Sequence, residues 1–215
     1  PGEQRPGEGV PAHKASRPSP RVWCIDDKVI SPFTPTERDF YSTDYFTKYA
    51  LGYLDEYAHE DKPFFMYLSY TAPHDPLMAW PEDIEKYRGK YRSGYEALRK
   101  ARNERQRDIG LIDDTFPLSD PTYEAWEFLT EAQKDEEDTK MAVYCAMIDR
   151  VDQNIGKILD KLRAQGELDN TLILFASDNG CSSEIVGPAA LNPTAGTGPI
   201  GSMTRWSSIS RSWAN

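Results

Sequence analysis

The sequence has little cysteine, no long apolar run and a deficit of positive charge. Its 215 residues contain three cysteines, Cys24, Cys145 and Cys181, odd in number and far apart. That spacing supplies neither a disulfide framework nor paired metal ligands, so buried or free thiols are expected. No apolar stretch approaches the roughly 18 residues that a membrane-spanning helix needs, so no membrane span is expected. Lys and Arg number 25 against 35 Asp and Glu, a formal net charge of −10. Nucleic acid or an anionic membrane would be repelled by that balance, which argues against either as a bulk partner. A small anionic substrate feels the local site more than the total and is not excluded. A Gly-x-Ser-x-Gly elbow, a phosphate loop and a Gly-rich dinucleotide fingerprint are all missing. The opening PGEQRPGEGVPAHK has neither an initiator Met nor the apolar centre of a secretory signal, so the compartment cannot be read from it.

A hydrophobic fraction of 39% is enough for a real core. Residues 1–21 are rich in Pro, Gly, Arg and Ser and lack periodic hydrophobics, the composition of a disordered lead-in. From Val22 a short hairpin is expected, with Asp26, Asp27 and Lys28 as its turn. Helical spacing of Tyr45, Phe46, Tyr49, Ala50, Tyr53, Leu54 and Tyr57 predicts a helix over 41–59, capped by Ser42 or Thr43. The continuous apolar run 63–70 then reads as a strand, ending in TAPHDPL, where two prolines flanking His74 forbid regular structure.

Residues 82–122 read as a long excursion, charged with alternating sign up to 108 and turn-rich beyond it. A long helix is predicted from Glu131 to Ala164, apolar at Met141, Ala142, Tyr144, Cys145, Ile148, Val151, Ile155, Ile158, Leu159 and Leu162, and stopped by Gly166. The run from Thr171 through Leu172, Ile173, Leu174 and Phe175 is short and wholly apolar, as in a strand buried on both faces of a parallel sheet. Beyond Gly180 an irregular tail, 181–215, is rich in Gly, Ser and Pro. The order helix, strand, excursion, helix, strand is that of a doubly wound α/β protein. A right-handed crossover makes the two strands parallel and brings His74 and the pair Asp178 and Asn179 to one sheet edge, where such folds bind ligands.

Asp178 and Asn179 offer hard oxygen donors on consecutive residues, the kind that calcium or magnesium accepts, though two donors cannot hold a divalent ion. Asp-Asn-Gly is equally good turn chemistry. Asp26 and Asp27 are a tempting second pair, but a short hairpin turn followed by Lys28 reads as solvated. His74 is placed by its prolines to act as an acid, a hydrogen-bond donor or a ligand, and a lone histidine is also often structural.

Taken together, TDYFTKYALGYL, KPFFMYLSYTAPHDPLMAWPEDIEKY, YCAMIDRVDQNIGKILDKLRAQGELDNTLILFASDNG and the closing SWAN resemble the middle of a type I sulfatase of the arylsulfatase group, over about residues 30–180 with a weaker tail. The resemblance implies a partial alkaline-phosphatase-like α/β sandwich over 22–215, with a mainly parallel sheet flanked by helices. It also implies a sulfuric ester hydrolase acting on small-molecule or glycan sulfate esters, in a periplasmic, secreted or lysosomal setting. In that family a Cys-x-Pro-x-Arg cysteine becomes formylglycine and attacks sulfur. A calcium ion, held by an early Asp pair and a later Asp-Asn pair, neutralises the sulfate oxygens. Asp178 and Asn179 resemble the later pair, and His74 resembles the histidine that contacts sulfate or protonates the leaving group. The early pair and the formylglycine motif are absent, since the three cysteines begin CIDDK, CAMID and CSSEI. A lysine and a His-Glu-Gly-Gly segment expected after SWAN are absent too. By itself this chain is therefore expected not to turn over a sulfate ester. The alternatives are a non-catalytic remnant of the same fold, or a superfamily phosphodiesterase or phosphatase with two transition metals. The second wants an Asp-His pair where Asp178 is followed by Asn179.

Overall fold

The computed structural model describes residues 22–31, 33, 40–60, 62–74, 77–121, 123–180 and 204–205. The expected lead-in 1–21 and all of the tail 181–215 except 204–205 lie outside the described residues, and Cys181 with them.

The first element is the expected hairpin, β1 (Trp23–Ile25) and β2 (Lys28–Ile30), antiparallel with Trp23 opposite Ile30. Asp26 turns the chain at φ 51°, a left-handed conformation that Asp tolerates better than most residues. The buried Trp23 stacks on Phe46 with ring centroids 5.3 Å apart and on Phe33 at 4.9 Å, which glues the hairpin to the following helix.

That helix, α1, spans Ser42–Glu56. Neither Ser42 nor Thr43 caps it. Tyr41 holds the N-cap position with extended backbone, and both hydroxyl residues are buried inside the first turn. Of the predicted stripe, Ala50 and Leu54 are buried, on one face with Thr43 and Thr47, while Phe46 and Tyr49 face Trp23.

The longest element, α4, spans Glu131–Gln165, close to its predicted bounds. It starts with a capping box: Thr130 Oγ1 accepts from Gln133 N while Gln133 Oε1 accepts from Thr130 N. It ends on Gly166 in a left-handed cap at φ 77°. Its buried seam shares Ala142 and Leu162 with the predicted stripe and otherwise differs from it. Ala142, Val143, Ala146 and Met147 are fully buried, whereas Ile148 is 44% exposed. The seam wins because it meets Ala79 and Ile84, with Ala72, Leu77 and Tyr87 packed around.

Between α1 and α4 come β3 (Met78–Ala79), the short α2 (Pro81–Glu85) and the charged α3 (Tyr95–Asp108), which buries no residue. The short β3 pairs antiparallel with β4 (Thr204–Arg205). Helices α1 and α4 run in the same direction. Asn154 Nδ2 donates to Asp44 Oδ1 at 2.7 Å near one end, and Gln165 Nε2 donates to Leu54 O at 2.9 Å near the other.

The expected parallel sheet is not formed among the described residues, whose two ladders are both antiparallel. Run 63–70, read as a strand, and run 171–177, which contains the strand read over 171–175, carry no ladder. Along the first, exposure alternates with period two: Phe65 is 92% and Tyr67 84% exposed, while Met66, Leu68 and Tyr70 are half-buried. That is the alternation of an extended chain with one face partly covered, and Tyr70 at its end bonds Thr47 of α1. A strand, unlike a helix, cannot satisfy its backbone alone, and no neighbouring strand lies beside either run among the described residues.

Candidate functional site

His74 sits at the crest of a loop, and the stems on both sides of it are tied to buried groups. Its backbone N–H donates to Thr71 O at 3.0 Å, closing a tight turn, and the preceding Ala72–Pro73 peptide bond is cis. Before the turn, the Tyr70 hydroxyl shares a 2.8 Å hydrogen bond with Thr47 Oγ1 on α1. Beyond it, Leu77 packs on the core and the buried Met78 is held from two sides. The Tyr41 hydroxyl donates to Met78 O at 2.9 Å, and Met78 N donates to Met147 Sδ at 3.4 Å. The imidazole itself is exposed.

Asp178 and Asn179 follow the apolar run 171–177 at a bend, and both are exposed. The Ser177 hydroxyl donates to Asn179 O at 2.6 Å, and neither Asn179 nor Gly180 takes the left-handed conformation that the turn reading of Asp-Asn-Gly allows. Among the described residues, no group of three or more His, Cys, Asp or Glu side chains comes together to hold a metal ion. Asp26 and Asp27 occupy the exposed hairpin turn, where Asp26 Oδ1 accepts from the Tyr53 hydroxyl at 3.1 Å. No helix among the described residues is long and apolar enough to cross a membrane.

Charge is gathered elsewhere. The buried Asp83 on α2 meets Arg150 at 2.6 Å and Lys86 at 2.7 Å, and Lys86 also reaches Asp149 at 2.8 Å. Hydrogen bonds to Asp149 and Asp83 push the Lys86 ammonium pKa upward. Asp138, also buried, accepts backbone N–H bonds from Gly89 at 2.7 Å and Tyr91 at 2.9 Å. Both carboxylates lie in segments rich in charge of both signs. Burial against a partner helix, rather than any local pattern, sets them apart, and the sequence reading missed them. They join α2 and the loop before α3 to α4.

The model of the Sulfatase family matches residues 16–203. This chain belongs to the sulfatase family. An uncharacterised sulfatase of Schizosaccharomyces pombe is 40% identical over 152 residues, 69% of this chain and 27% of that protein. The arylsulfatase of Klebsiella aerogenes is 35% identical over 145 residues, 67% of this chain and 31% of the enzyme. An N-acetylglucosamine-6-sulfatase of Capra hircus is 30% identical over 146 residues, 65% of this chain and 22% of its own length. The chain thus spans less than a third of these sulfatases, and the sulfatase family carries an α/β fold of which the described residues are mainly the helical part.

Proposed function

We propose that this chain is part of a sulfuric ester hydrolase, and that runs 63–70 and 171–177 are strands of a parallel sheet completed by polypeptide outside the described residues. The observation that carries this reading is the placement of His74 and of Asp178 with Asn179. Each follows directly on an apolar run, and each run follows one of two helices that point the same way. Membership of the sulfatase family supports the reading.

In this reading Asp178 and Asn179 are two of the oxygen donors to a calcium ion. Their donor set fits a hard cation, one carboxylate and one amide carbonyl on exposed consecutive residues, and the remaining donors come from outside the described residues. The ion, when bound, supplies positive charge against the sulfate oxygens. His74 orients the sulfate and hands a proton to the oxygen of the departing alcohol, a task suited to an imidazole at near-neutral pH. The nucleophile, a formylglycine, is supplied from beyond this sequence, because no cysteine here opens Cys-x-Pro-x-Arg. The 215 residues alone are therefore inactive.

The test is peptide mapping by mass spectrometry of the native product that carries this sequence, joined to an aryl sulfate assay. A Cys-x-Pro-x-Arg peptide bearing the cysteine-to-formylglycine mass change is expected. Calcium-dependent turnover that falls by about a thousandfold in Asp178→Ala is expected with it, a loss typical of removing a charge-stabilising group. A native product without that motif would replace this reading with the non-catalytic remnant. Hydrolysis of phosphate esters with transition metals, and none of sulfates, would replace it with the phosphatase.

A further inference from the structure

We propose that Tyr41 is a positioning residue for His74, acting through the backbone of Met78. This rests on the reading of His74 given above. The loop that carries His74 is an arch with both feet on buried ground. On one foot Tyr70 bonds Thr47, and on the other Met78 is held by Tyr41 and Met147. Tyr41 and Thr47 flank the first turns of α1, so a single helix end holds both feet.

The Tyr41 hydroxyl is suited to that task. The residue is fully buried, its ring lies 6.1 Å from that of Trp80, and burial pushes its pKa well above the usual phenol range. It stays a neutral donor at every physiological pH and has Met78 O as its acceptor. Met78 in turn is spent on both backbone groups, its carbonyl on Tyr41 and its amide on Met147 Sδ, and lies four residues from His74. A loop whose two feet are tethered samples fewer backbone placements than a loop held at one foot, which narrows the positions from which the imidazole can act. Catalysis is sensitive to this, because a misplacement of about 1 Å can cost on the order of a hundredfold in rate.

The test compares Tyr41→Phe, Thr47→Val and, as control, the exposed Tyr57→Phe in the native product. The protein is labelled on histidine, of which the sequence has three. Expected in Tyr41→Phe is a shifted or broadened His74 ring resonance with that of His59 unmoved. A fall in kcat of about tenfold with KM nearly unchanged is expected alongside, the pattern of a group lost from the transition state only. Thr47→Val should repeat both effects more weakly, and it stands in if Tyr41→Phe does not fold. Tyr57→Phe should change neither. A His74 resonance unmoved in Tyr41→Phe and Thr47→Val, with only a lower melting temperature, would overturn the proposal. Full turnover in His74→Gln would instead overturn the role of His74, and the resonance shift reports on positioning regardless of that result.

Discussion

Met147 on α4 and Leu174 in the run after it are apolar side chains of similar size, yet the first is 0% exposed and the second 85%. The same contrast holds region by region. Helices α2 and α4 bury a common seam with β3, and α1 and α2 are each tied to α4 by polar bonds, Asp44 to Asn154 and Asp83 to Arg150. Runs 63–70 and 171–177 are no less apolar, but leave Phe65, Tyr67, Leu172 and Phe175 at 80% exposure or more. The difference lies in the backbone. A helix satisfies its N–H and C=O groups within itself and needs only one neighbour for its apolar face. A sheet strand needs neighbours on both edges and both faces.

The largest effect expected from this contrast is a reversal between contexts. Phe65→Asp combined with Leu174→Asp should leave the melting temperature of the 215-residue chain unchanged and raise its solubility, because both sites face solvent there. In the native product the same pair should abolish soluble folded protein, since an unpaired charge in a sheet interior costs several kcal/mol. Equal effects in both would break the comparison. Met147→Ala comes next. It removes a fully buried side chain from the helical seam and should cost about 2–5 kcal/mol by urea unfolding, whichever context is used.

Asp138→Ala should cost less, about 1–3 kcal/mol, because it strands the N–H groups of Gly89 and Tyr91 without filling space. Its signature is faster amide hydrogen exchange at those two residues while the α4 seam stays protected.

The smallest effect is alkaline. Burial raises the pKa of Cys145, whose thiol shares a 2.6 Å hydrogen bond with Tyr91. Burial, with hydrogen bonds to Cys145 and Glu137, likewise raises those of Tyr91 and Tyr95. The native state therefore keeps protons that the unfolded chain releases from about pH 8.5 for cysteine and about 10 for tyrosine. Unfolded binds fewer protons than native in that window, so stability is level below it and declines as pH rises through it. Urea midpoints at pH 8 and pH 10.5 should differ in that sense, and Tyr91→Phe should narrow the gap.

Much of the helical layer was legible in the residues. The long periodic pattern, the Gly166 stop and the Asp26–Asp27 turn all depend on local chemistry, which a sequence carries in full. Which stripe of each helix is buried was legible only in part. Ala50, Leu54, Ala142 and Leu162 belong to the predicted stripes and are buried, but Val143 and Met147 were passed over in favour of Ile148, because two faces of α4 are apolar enough to pack. Of the candidate site, the sequence marked His74, Asp178 and Asn179 by their types and their places after apolar runs. The tethers on Met78 join residues up to 69 positions apart and were not visible.

By itself the sequence determined the long α4 with its Gly166 stop, which runs are apolar enough to be strands, and the family to which the chain belongs. Caps, periodicity and motif order act over a few residues or add up along the chain. Only the tertiary structure decided which helix faces meet, that Asp83 and Asp138 are buried and paired, and that the arch under His74 is tied to Tyr41 and Thr47. Those depend on which surfaces come within a few ångströms of each other, and several arrangements of the same amphipathic segments satisfy the local rules equally well.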